Sequence, residues 1–173
     1  MRLDPATERR IRVAAIEYAK RIIAENGGSW RETYSPNGGQ DAISACGGLY
    51  GHGTFGPTCS HRPEPSVWQD AAMYILSHKL RNGQRLHMPP WFPPYPTQDE
   101  TILQLVRIDE IKDEIIENHG WYTESYWGYE HRVTGGVYCR EGTYESETCN
   151  YRTRATLADW EGLLNYVMEN GNR

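Results

Sequence analysis

The chain has 173 residues, 18 Lys plus Arg against 23 Asp plus Glu, and a formal net charge of -5. That length suits one domain, and 38% hydrophobic, 24% charged and 12% aromatic residues exclude both a membrane-embedded and a disordered chain. The acidic balance argues against nucleic acid as the main ligand, because phosphate contacts need a concentrated positive surface. No run approaches the roughly 18 apolar residues of a membrane span. The opening Met1-Arg2-Leu3-Asp4-Pro5 leads into charged residues without an apolar signal segment. The expectation is therefore a cytoplasmic protein, or one made in the cytoplasm and incorporated into a particle such as a virion.

The first helix reads from Asp4 as cap and Pro5 at the first helical position. Ile11, Ala15, Tyr18 and Ile22, with Ala14, Ala19 and Ile23, give it an apolar stripe. Arg9, Arg10, Arg12, Lys20 and Arg21 mostly fall off that stripe, and Asn26-Gly27-Gly28 ends the helix. Residues 27–65 then lose all sustained period and read as a Gly-rich loop region. Trp30, Tyr34, Leu49, Tyr50 and Phe55 are its expected anchors; the alternative is a set of short strands hidden from sequence reading.

Ser66 with Gln69 forms a capping box for a second helix that buries Ala71, Ala72, Ile75, Leu76 and Leu80. A proline-rich arm at 86–97 follows, with Trp91, Phe92 and Tyr95 on an extended backbone. Thr97 and Glu100 open a third helix to about Asn118. The segment 99–117 carries seven acids against Arg107 and Lys112, whereas the first 31 residues carry seven basic side chains against four acids. Such patches pair within a fold or between subunits, or remain two solvated faces. From Trp121 to Arg154 the Thr, Tyr and Val content predicts strands, and Thr156 with Asp159 caps a last helix. The expected fold is a single α+β domain over 1–173: about four helices on a small antiparallel sheet near 129–153, with long Gly/Pro-rich loops. No internal repeat and no domain boundary is expected.

Three chemistries compete for function. Cys46, followed by Gly47-Gly48, has backbone donors and Gln40 nearby for an oxyanion; of the candidate bases His61, His119 and His131 the last is preferred, with Asp159 or Asn150 as its orienter. The Gln six positions before the Cys resembles the papain-type arrangement, and the preceding Gly-Gly resembles cell-wall-hydrolase peptidases. Ala45 stands where those peptidases have Asp or Gly, and no aromatic follows the Cys. That resemblance implies a cysteine-dependent hydrolase or transferase. Cys46, His52, Cys59 and His61 offer a second chemistry, a structural zinc site, with Cys46/Cys59 and Cys139/Cys149 as candidate disulfides of a binding domain. The third reading ranks first: a non-enzymatic structural or interaction subunit of a larger assembly. Its partner is another protein or a second copy, and its anchors are Trp91, Phe92 and Tyr95. No cofactor motif is present.

Overall fold

In a computed structural model of the chain, described over residues 4–34, 42–46, 54–55, 64–79, 99–127, 130–137, 143–145 and 156–171, the fold is α+β. Helix α1 spans Pro5–Glu25 and α2 Pro65–Lys79; α3 spans Asp99–Glu117 and α4 Leu157–Gly171. The strands are β1 (Ser29–Tyr34), β2 (Ala42–Cys46), β3 (Thr54–Phe55), β4 (Gly120–Trp127), β5 (Glu130–Val137) and β6 (Thr143–Glu145).

The caps explain the helix ends. Asp4 accepts from Thr7 N at 2.8 Å, satisfying a donor that the first turn would otherwise leave orphaned. Gly28 N returns to Ile23 O at 2.8 Å, with Gly27 at φ 78° between them. Thr156 and Asp159 cap α4 reciprocally, Thr156 N donating to Asp159 Oδ2 at 2.7 Å and Asp159 N to Thr156 Oγ1 at 3.3 Å.

The strands form one antiparallel sheet in the order β3-β2-β1-β4-β5-β6. It is larger than the sequence expectation, because β1, β2 and β3 all lie within the Gly-rich stretch 27–65. β3 is only two residues long, and in β1 the buried alternate position Glu32 is charged, which hides an apolar period of two. Alternate residues of β1, β4 and β5 point under the helices: Trp30 and Glu32, Tyr122 and Glu124, His131 and Val133 are all buried.

Two cores lie on that face. Ile16, Ala19, Ile23, Trp30, Trp68 and Ile75 form the first, between α1, α2 and β1. Ile111, Ile115, Tyr122, Val133, Trp160 and Leu163 form the second, between α3, α4, β4 and β5. The second depends on Gly135, where a Cβ would lie 2.5 Å from the Trp121 carbonyl oxygen and 2.8 Å from Leu163.

The two cores are copies of one arrangement, contrary to the expectation of no repeat. Lys20 and Lys112, Trp30 and Tyr122, Glu32 and Glu124, and Trp68 and Trp160 are each 92 positions apart (20 to 112, 32 to 124). Around the first strand of each half, Glu25-Asn26-Gly27-Gly28 matches Glu117-Asn118-His119-Gly120, and Glu32-Thr33-Tyr34 matches Glu124-Ser125-Tyr126. Gly27 and His119 occupy the same left-handed turn, at φ 78° and 62°. Ring geometry repeats too: Trp30 meets Trp68 edge-on at 5.7 Å, and Tyr122 meets Trp160 edge-on at 5.5 Å. Tyr126 stacks on Trp30 at 6.2 Å, and Tyr34 on Tyr122 at 6.3 Å. Even the defects match, since the buried indole N–H groups of Trp68 and Trp160 both lack a hydrogen-bond partner among the described residues.

The halves, 4–79 and 99–171, join through β1 and β4 with Glu32 opposite Glu124, Trp30 opposite Tyr126 and Tyr34 opposite Tyr122. This register is that of a local two-fold axis passing between the two glutamates.

Candidate functional site: a charge cluster on the local two-fold axis

Each half places one lysine and one glutamate at the axis. Lys20 lies on α1 twelve residues before Glu32, and Lys112 lies on α3 twelve residues before Glu124. All four are buried, and His131 with them is 3% exposed. Lys20 was expected off the apolar stripe; it is 2% exposed because its ammonium lies 4.3 Å from the Trp30 ring centroid and 4.8 Å from that of Trp68. Lys112 sits likewise at 5.6 Å from Tyr122 and 5.1 Å from Trp160.

The four charges alternate in sign. Lys20 Nζ lies 3.4 Å from Glu32 Oε1 and 3.2 Å from Glu124 Oε1. Lys112 Nζ lies 2.9 Å from Glu124 Oε1 and 3.1 Å from Glu32 Oε2. Every lysine therefore bridges its own half to the other.

The two Oε2 oxygens are served asymmetrically beyond the lysines. Tyr122 donates its hydroxyl to Glu32 Oε2 at 2.6 Å. Its counterpart Trp30 has no hydroxyl to give Glu124; instead His131, whose ring centroid is 5.5 Å from that of Trp30, places Nε2 3.0 Å from Glu124 Oε2. Burial by itself would raise the Glu124 pKa, but Lys112, Lys20 and the His131 contact outweigh it and hold the carboxyl well below the ordinary value of 4.5. An ionised Glu124 only accepts, so the proton in this contact belongs to His131 Nε2.

Above the cluster, between α1 and α3, lies a cavity of about 40 Å³. Its lining is paired by the same repeat: Val13 with Leu105, Ile16 with Ile108, Glu17 with Asp109, then the lysines and glutamates, with His131 the odd member. That volume holds roughly two or three waters and falls well short of the ~300 Å³ at which pockets for organic ligands begin. Asp109, one of the cavity's lining residues, is ion-paired: Arg9 reaches Asp109 at 2.7 Å and Asp113 at 2.9 Å, and Arg12 also binds Asp109. The basic first helix and the acidic third thus neutralise each other across the axis, while Arg107 pairs with Glu110 and Glu114 on the outer face of α3.

Cys46 and His131, expected as nucleophile and base of a thiol site, stand on separate strands of the sheet. Cys46 lies on β2, paired with Ser29 and Thr54, and β1 and β4 stand between it and the strand of His131. Three strand spacings amount to about 14 Å. His131 is held by Glu124, and Asp159 is engaged in the α4 cap. Gln40, His52, Cys59, His61, Cys139 and Cys149 lie outside the described residues, as do Trp91, Phe92 and Tyr95 of the arm. Among the described residues no group of three or more His, Cys, Asp or Glu side chains is placed to hold a metal ion. Nor is any helix there long and apolar enough to cross a membrane.

Sequence reasoning singled out His131 but missed Lys20, Glu32, Lys112 and Glu124. Their signal was the shared pattern Lys-x11-Glu with an aromatic two positions before each Glu. Compared with family models, curated proteins and solved structures, the chain matches none.

Proposed function

We propose that the protein is a non-enzymatic interaction subunit of a larger protein assembly. The observation that carries this reading is the closure of the axial cluster: each oxygen of Glu32 and Glu124 accepts from Lys20, Lys112, Tyr122 or His131. The acid and base groups at the axis, Lys20, Glu32, Lys112, Glu124 and His131, are spent on holding two halves together. A buried network of this kind specifies one arrangement of the fold, as registry-setting polar groups do in other cores. On this reading the fold is a rigid, nearly symmetric body, and association falls to the segment that the repeat does not duplicate. That segment joins the halves, and its Trp91, Phe92 and Tyr95 are the anchors for a protein partner or a second copy.

Native mass spectrometry of the purified chain tests this, with Trp91, Phe92 and Tyr95 replaced together by Ser so that the connection keeps its length. The reading expects an oligomer that the triple variant loses while keeping its helical circular dichroism. Unchanged association, or loss of folding together with association, contradicts it. So does a monomer whose Cys46 is alkylated rapidly near neutral pH, the behaviour of an activated nucleophile.

A further inference from the structure

We infer that the contact between the two halves is a self-complementary surface through which two copies of this chain exchange halves to form a reciprocal dimer. This goes beyond the proposed role of the aromatic arm and does not depend on it.

A two-fold contact is isologous: the same patch lies on both sides, so whatever one side gives it also receives. Here Lys20 reaches Glu124 while Lys112 reaches Glu32. Likewise, Tyr126 packs into the first half's core while Tyr34 packs into the second's. The core residues of each half otherwise come from that half alone. The contact is held by one strand ladder, the axial charges and the α1–α3 ion pairs. A first half therefore finds the same partner surface whether the second half belongs to its own chain or to another, and exchange loses none of these contacts.

What separates closed monomer from exchanged dimer is then the effective concentration set by the connection, about millimolar for short linkers. Once formed, the dimer persists on dilution, because separating the halves opens the ladder and uncovers buried charge.

Thr33 and Thr123 report on the exchange. They are opposite each other on β1 and β4, with hydroxyl oxygens 3.2 Å apart, a placement that accepts a disulfide. Chains carrying Thr33→Cys and Thr123→Cys, one batch in normal and one in heavy nitrogen, are unfolded under reducing conditions. They are then refolded together at about millimolar concentration, diluted, oxidised and digested. Exchange gives peptides linking position 33 of one isotope to position 123 of the other, in the proportion of random pairing, and a wild-type dimer by light scattering after the same treatment. Links of a single isotope only, or a wild-type chain that returns wholly to monomer, overturn the inference. The isotope links separate this from the arm reading, since association through Trp91, Phe92 and Tyr95 alone leaves positions 33 and 123 linked within one isotope.

Discussion

Glu32 and Glu124 stand directly opposite each other on neighbouring strands, and one lysine from each half bridges them. Like charges paired across a ladder repel, and desolvation makes each worse. The two lysines make the arrangement stable only as a set, since removing any member leaves uncompensated buried charge.

Glu124→Gln is the clearest case. It leaves Lys20 and Lys112 against Glu32 alone, and breaking a buried pair in this way costs about 3–5 kcal/mol. It also changes the acid limb of stability. The folded carboxyl lies well below 4.5, so on acidification the unfolded chain takes up the proton first. The stabilisation due to Glu124 is complete above its ordinary value and is lost as pH falls through the lowered folded value. Urea midpoints measured downward from pH 6 should fall more steeply for the wild type than for the variant. Parallel curves would separate the cluster from acid sensitivity.

Tyr122→Phe removes a hydroxyl that donates to Glu32 at 2.6 Å without removing the ring that stacks on Tyr34. Loss of a hydrogen bond to a charged group amounts to about 1.5–3 kcal/mol. Urea unfolding should show that loss with an unchanged slope, whereas a neutral substitution would mean that the two lysines alone satisfy Glu32.

His119 occupies a left-handed turn that its counterpart Gly27 fills with glycine, and His119 is exposed. The strain of such a conformation exceeds the entropy that glycine adds to the unfolded chain, so His119→Gly should stabilise by about 0.5–1 kcal/mol. Gly27→Ala should do the reverse, although a Cβ there meets nothing within 4 Å. Thermal melts of both variants check the pair; a destabilised His119→Gly would reveal a contact made by the imidazole.

Helices were legible because their caps and stripes are local. Asp4, the Asn26-Gly27-Gly28 stop and the Thr156–Asp159 box are where the sequence indicates them, and the second helix begins one residue before the predicted Ser66. The sheet was half legible, since β4 carries Tyr122, Thr123 and Tyr126 and β5 carries Val133, Thr134 and Val137, while β2 and β3 sit among glycines. The repeat escaped notice for two physical reasons. Matching helix positions face different neighbours, so Ile22 is buried where Glu114 is half exposed. The turn between β1 and β2 is also longer than that between β4 and β5, which puts Ala45 opposite Trp30 but Gly135 opposite Tyr122. The 92-residue spacing therefore lapses in the middle of each half and returns only at Trp68 and Trp160. The charge cluster was invisible for a related reason, as a lysine within a helix reads as a surface residue until aromatic rings and carboxylates close over it.

The most direct test of this account is a double-mutant cycle on Lys20 and Glu124, which meet at 3.2 Å across the axis. Lys20→Met, Glu124→Gln and the double variant are compared by urea unfolding at neutral pH. If the cluster locks the halves together, the double variant is less destabilised than the sum of the singles, by at least about 1 kcal/mol. Additivity to within about 0.3–0.5 kcal/mol would contradict that claim and leave the two residues as independent tenants of the core.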